Sequence, residues 1–300
     1  MQDDPNAPQY LTVVGSLSAE GKLSLQPGYI TRSHDVKAQG NSSNEPDQFL
    51  GVEMLDDKKG VVSRNYLPLV DFCVGASKGI SVTERMVAGK VPYDPATRLL
   101  RFYHNNKLVH EVEVSKSSPE VELIWQPSKT IKGQQVVSWT GKHPEDKPLH
   151  YMVCYSNSDG QTWQPLSLST EDTKYQIDFD QLPGGKGRVG IVATDGVNTV
   201  MVESQAFKVA NKGCIAMILA PQDGATVALN DQVRFRGQGY YMEQQRPETQ
   251  KLTWSSSKDG TLGQGAVLEV RKLSPGTQQI TLTAGSGKNT GTSSIKIEVK

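Results

Sequence analysis

The stretch Leu182 to Thr199, LPGGKGRVGIVATDGVNT, returns 91 residues later as Leu273 to Thr290, LSPGTQQITLTAGSGKNT, and the two align without a gap. A repeat at a fixed offset constrains architecture before it says anything about chemistry. The same offset relates Gly185 to Gly276, Ala193 to Ala284, Gly196 to Gly287, Asn198 to Asn289 and Trp163 to Trp254. It is the length of one small β-sandwich, and a chain of 300 residues has room for three. Between the copies Lys186 becomes Thr277 and Asp195 becomes Ser286, while the turn glycines and apolar strand positions stay. Fold positions recur and reactive side chains do not. The stretch is therefore a structural corner and strand, and its glycines do not form a phosphate loop.

Thirty-two basic and 32 acidic residues give a formal net charge of zero, which favours neither a nucleic-acid nor an anionic-membrane partner. With 28 glycines, 16 prolines and 36% apolar residues, the chain suits many short strands and tight turns, and no amphipathic helix stands out. The cysteines, Cys73, Cys154 and Cys214, are odd in number and widely spaced, matching neither a disulfide framework nor a zinc module, so they read as buried thiols. The N-terminus MQDDPNAPQY lacks the basic and apolar regions of a secretion signal, and no run is long and apolar enough for a spanning helix.

Alternation of apolar and polar residues marks a hairpin in YLTVVGSLSAEGKLSLQPGYI around Ala19-Glu20-Gly21. The polar run from Thr31 to Asp47 reads as an exposed loop. Strands follow over Phe49–Leu55 and Val61–Tyr66, then Ile80 to Ala88, then a hairpin of Arg98–His104 and Leu108–Val114 about Asn105-Asn106, which tolerates positive φ. A polar break at Ser115–Pro119 sets the first boundary. Beyond it, Val136–Trp139, Tyr151–Tyr155, Tyr175–Phe179 and Ser204–Val209 read as strands, and after Asn211-Lys212-Gly213 so do Ile215–Leu219, Val233–Phe235, Leu252–Trp254, Ala266–Val270 and Ile280–Ala284.

The order Trp139, Tyr151-x-Val153-x-Tyr155, Leu182-Pro183-Gly184, Val189-x-Ile191-x-Ala193 resembles a fibronectin type III or related immunoglobulin-like sandwich. Gly187-Arg188 stand where such modules commonly carry a corner tyrosine. More narrowly, YSNSDGQTW with LPGG…VATDG resembles modules near the C-termini of large secreted bacterial proteins, often attached to metallopeptidases. LTWSSSKDGTLGQG with LSPGTQQITLTA is similar to PKD-like and bacterial Ig-like domains, and PYDPATRLLRFYHNNKLVHEVEVS resembles a companion module. The resemblance implies an all-β chain of three tandem antiparallel β-sandwich domains. These are residues 10–116, an atypical sandwich behind a flexible arm of residues 1–9, then 117–211, fibronectin-like, and 212–300, Ig- or PKD-like.

No constellation demands chemistry. SNSDGQTW, Ser156 to Trp163, approaches the Asp-box pattern of sialidase propellers with Ser158 in the aspartate position, but a single copy reads as a well-made hairpin. His143, Glu145, Asp146 and His150 share one loop without zincin spacing, and His104 and His110 flank a turn. No nucleophile elbow or metalloprotease helix is present. The expectation is a non-catalytic spacer and interaction module of a larger secreted or cell-surface bacterial protein, with no cofactor, no metal, no nucleic acid and no membrane span. Its partner is a protein or a cell-surface glycan. The alternatives are a carbohydrate-binding accessory region using Tyr240, Tyr241 and Trp254, and a hydrolase whose site in the N-terminal domain holds His34, Asp35 or His104.

Overall fold

The computed structural model describes residues 6–34, 47–71 and 84–300. Cys73, Asp35 and most of the Thr31–Asp47 loop lie outside them, as does the start of the strand expected from Ile80. Among the described residues the regular elements are strands, apart from the single 3-10 turn Phe179–Gln181. Most of the described pairings are antiparallel; Thr130–Ile131 with Phe207–Val209 and Ala225–Val227 with Asn289–Val299 are short parallel contacts. The chain is thus all-β, built from several antiparallel sheets. It divides into two compact units, Met1–Pro127 with Val136–Ile177 and Arg188–Ala206, and Ser128–Gln135 with Asp178–Gly187 and Phe207–Lys300.

In the first unit, eight strands make one sheet. Gln9–Ser18 alternates strictly, placing Leu11, Val13 and Leu17 inward. It pairs with Leu23–Leu25 across the Ala19-Glu20-Gly21 turn, with Ile30–Arg32, and with Glu84–Pro92. The long strand Val61–Asp71 serves both halves of the sheet, since residues up to Pro68 pair with Phe49–Leu55 and Leu69–Asp71 pair with Glu84–Pro92. The sheet therefore folds over one core that joins Leu50, Met54, Leu67, Val87, Leu100 and Phe102. The Leu99–His104 and Lys107–Glu113 hairpin closes through Asn105 and Asn106, with φ of 49° and 60°.

The same unit holds most of the strand Gly185–Thr194, whose residues 188–194 pair with His150–Ser156 and whose residues 190–194 pair with Thr199–Glu203. The turn after it inserts Val197 into the core of the first sheet. Asp195 shapes that turn, its Oδ1 accepting from the amides of Val197 at 2.9 Å and Asn198 at 2.8 Å. Thr194 Oγ1 donates to the Gly28 carbonyl at 2.7 Å, Gly28 N donates to Gly196 O at 3.0 Å, and Asn198 Nδ2 donates to the Ser115 and Ser117 carbonyls.

In the second unit a four-stranded sheet built on Val233–Tyr241 and a five-stranded sheet built on Gly276–Ser286 share a core in which Phe235 and Trp254 lie 5.4 Å apart. Glu243 accepts from the amides of Gly184 at 3.3 Å, Lys212 at 2.6 Å and Gly213 at 3.2 Å, satisfying donors at a chain corner. The repeat holds for Gly185 and Gly276, which open equivalent strands with φ of 139° and 93°. It fails for the tryptophans. Trp254 pairs with Leu282, and the residue opposite the equivalent Ile191 is Val153, so Trp163 has a different structural position despite the matching offset.

Replacing Val197 by Ala should cost about 1–3 kcal/mol, because its side chain leaves a gap in a core it enters from a distant turn. Urea unfolding should show the loss, and hydrogen exchange should show the Gly28 amide losing protection with it.

Candidate functional site

The segment that approaches the Asp-box pattern forms a stiff hairpin. Asp159 and Gly160 take positive φ, 57° and 86°, which turns the chain within two residues. Ser156 Oγ accepts from the amides of Ser158 at 3.2 Å and Gly160 at 2.9 Å. Ser158 Oγ accepts from Thr162 N at 3.0 Å and lies 2.8 Å from Thr162 Oγ1, so the serine in the aspartate position performs the acceptor role locally. The turn returns Trp163 to the face of the sheet it left.

That face follows from strand register. Tyr151, Val153 and Tyr155 point inward, where Tyr151 and Trp139 stack edge to face at 5.6 Å. The intervening residues face outward. Val192 lies between Met152 and Met201, and Gly190 lies between Cys154 and Glu203. A Cβ at Gly190 would collide with the Met201 methyl and sit 2.9 Å from the Trp163 ring, so the glycine lets the indole lie against the strand. Met152, Cys154, Trp163, Val192, Met201 and Glu203, together with Tyr29–Arg32, line a cleft of about 780 Å³, within the range usual for ligand sites.

Its charges are arranged in opposition. Arg188 Nε donates to Asp159 Oδ1 at 2.7 Å, its Nη1 lies 3.6 Å from Glu203 Oε2, and Nη1 also donates to the Ser204 carbonyl at 3.1 Å. On the opposite wall the Tyr29 hydroxyl is 2.9 Å from Ser169 Oγ, and burial raises its pKa above the usual phenol value. Ile30 N donates to Thr199 Oγ1 at 2.8 Å and ties that wall to the floor. Burial pushes the Cys154 thiol, at the bottom, up to about 11.

The residues singled out in the sequence are distributed otherwise. Trp254 is 0% exposed and its indole N–H donates to Gly265 O at 2.9 Å. Tyr241 and Tyr240 point to opposite faces of one strand, at 7% and 39% exposure, and the Arg246 guanidinium covers the Tyr241 ring at 4.5 Å. His143 is buried. Its Nδ1 accepts from Glu145 N at 3.1 Å and its Nε2 lies 3.2 Å from Asp195 Oδ2 and 3.3 Å from Ser117 O. His150 faces Glu171 at 3.9 Å, so the loop's two imidazoles serve different contacts. His104 Nε2 lies 3.2 Å from Asn105 Nδ2, and His34 is exposed. Neither lines the cleft. Among the described residues, no group of three or more His, Cys, Asp or Glu is placed to hold a metal ion. A smaller hollow of about 270 Å³ surrounds Glu53, whose carboxylate pairs with Arg64 at 2.7 Å and accepts from Tyr103 at 3.3 Å.

Trp163 was legible in sequence as a hairpin residue, but its outward placement was not. The signal for the site was the short β-branched and apolar run TVMVE after the Asp195 turn, which marks Thr199–Glu203 as a further strand; pairing register then puts Met201 and Glu203 on the face of Gly190.

No protein-family model matches the chain, and no curated protein matches it. Among solved structures it is similar to the fibronectin(III)-like modules of CbhA from Clostridium thermocellum, at 16% identity over 60% of this chain and 94% of that one with a TM-score of 0.25. It is also similar to extracellular domains 3–5 of Drosophila OTK, at 10% identity, 87% and 88% coverage and a TM-score of 0.24. The FN1–FN3 domains of chicken CNTN1 match at 9% identity, 83% and 91% coverage and a TM-score of 0.21.

The raised Cys154 pKa has a signed consequence. Between the unfolded thiol's value, near 9, and about 11, the unfolded chain releases a proton that the folded chain keeps, so this contribution to stability is present below pH 9 and lost as pH rises toward 11. Iodoacetamide at pH 7.5 should leave Cys154 unmodified in the folded protein and alkylate it in urea, as read by peptide mass mapping.

Proposed function

We propose that the chain is a non-catalytic spacer and interaction module of a larger secreted or cell-surface bacterial protein, holding a ligand in the cleft floored by Met152, Val192 and Met201 while presenting or steadying a catalytic or adhesive partner. The observation that carries this is the bracing of Arg188 by Asp159 and Glu203 at the cleft's mouth. It provides a shaped, aromatic surface whose charges are engaged with one another. The Cys154 thiol is protonated at neutral pH, and the Tyr29 hydroxyl is engaged with Ser169, so neither is poised as a nucleophile. The spacer role draws support from strand pairing. Apart from Gln9, which pairs with Arg32, the described pairings fall within 10–116, 117–211 and 212–300, which we take as the three modules. Resemblance of YSNSDGQTW and LPGG…VATDG to secreted bacterial modules supports the location.

Incubation with chromogenic ester, peptide and glycoside substrates should give no turnover. Turnover that disappears in Glu203→Gln would overturn the non-catalytic reading. A fragment of residues 212–300 should melt cooperatively by itself, and failure to do so would remove the proposed boundary at 212.

A further inference from the structure

Trp163 stands on the outward face of a sheet whose inner face already has its own aromatic residues, Tyr151 and Tyr155, packed against Trp139 of the neighbouring sheet. A large aromatic residue placed outward in a cleft, against a glycine that makes room for it, is the informative exception to burial. The hairpin carrying it is fixed by the Ser156 and Ser158 hydroxyls, so the indole needs little ordering when a ligand arrives.

We propose, building on the interaction-module reading above, that this cleft is a binding site for a neutral oligosaccharide of pyranose rings with equatorial hydroxyls, one ring stacking on Trp163. Such a ring shows a flat face of weakly positive C–H groups, which the negative π-face of an indole attracts by the same electrostatics that hold a cation over an aromatic ring. Its edge carries hydroxyls that both donate and accept, and the cleft offers partners of both kinds. Asp159 and Glu203 supply acceptors, Arg188 supplies donors, and Gln161 supplies both. Because Arg188 lies between two carboxylates and Arg32 stands on the facing wall, cationic and anionic groups balance across the site, which favours an uncharged ligand. A nucleic acid would require a basic surface. A peptide added as a strand would require an open sheet edge, whereas the floor here is a sheet face. The volume of about 780 Å³ accommodates more than a single sugar ring.

Calorimetric titration of the full chain with cello-, chito-, laminari- and mannohexaose, with heparin and polygalacturonate as charged comparators, tests this, and each mixture is also analysed for cleavage products. At least one neutral hexasaccharide should bind and remain intact. Trp163→Ala should weaken binding at least about tenfold, and Gln161→Ala, an exposed hairpin change, about two- to fivefold. Gly190→Ala should weaken it as well by displacing the indole, with thermal melting checking that each variant folds. Tyr240→Ala should leave binding unchanged. Cleavage of the bound sugar would overturn the non-catalytic reading and leave the sugar site standing. Binding of only the charged polymers, no binding of any neutral hexasaccharide, or binding indifferent to both Trp163→Ala and Gln161→Ala would overturn the sugar site and leave the module reading standing.

Discussion

The hydrogen bond from Thr194 Oγ1 to the Gly28 carbonyl joins residues 166 positions apart, and much of the first unit depends on the turn it anchors. One Thr-Asp-Gly-Val-Asn sequence does several things there. Asp195 organises the turn's amides, Asn198 reaches the Ser115 and Ser117 carbonyls, and Val197 completes an apolar core. A second contact, from Ile30 N to Thr199 Oγ1, holds Tyr29–Arg32 beside the outward sheet face. Without these contacts the cleft would have a floor and no facing wall. The shape of the candidate site is thus a by-product of how the turn is anchored.

The two copies of the repeated stretch show how a common backbone acquires different duties. Both open on a glycine of positive φ and run into a strand whose alternate residues are fully buried, including Ile191 and Ala193 in one and Leu282 and Ala284 in the other. After the strand they part. In one, Asp195 and its neighbours reach across to another sheet; in the other, Ser286 pairs directly with Asn289 across a tight hairpin in its own sheet. Carboxylates elsewhere serve in the same manner as Asp195. Glu243 collects three amides, Asp259 accepts from Ser274, and Glu248 accepts from the Gln250 and Lys251 amides, which lower its pKa. A carboxylate satisfies several converging N–H groups at once, which suits a chain with many turns and little helix.

Period-two patterning made strands readable where burial alternates along them, as in Gln9–Ser18, while Phe49–Leu55 reads as an apolar run buried on both faces at its end. Turn chemistry fixed the hairpins at Gly21, Asn105-Asn106 and Asp159-Gly160 for the same local reason. Asn289–Val299 carries no such signal, because its first six residues, Asn289 to Ser294, are small and polar and its apolar positions begin only at Ile295. The aromatic residues part company for a related reason. Trp254 and Trp163 are equivalent by counting, yet a strand interior absorbs one and a hairpin carries the other outward, and only pairing register separates them. A site assembled from several strands and a turn has no contiguous sequence signature, so its location depends on partners that composition and spacing do not disclose.

The distance along the chain between the first sheet and the turn that completes its core also bears on how the protein is made. Synthesis runs from the N-terminus, and domains generally fold as they emerge. The first sheet's last strand ends at Glu113, but Val197 belongs to its core, so that core lacks one of its members until the turn has left the ribosome. Folding of the N-terminal sheet is therefore coupled to the arrival of a later segment, and a chain truncated before that segment leaves an apolar opening where Val197 would sit.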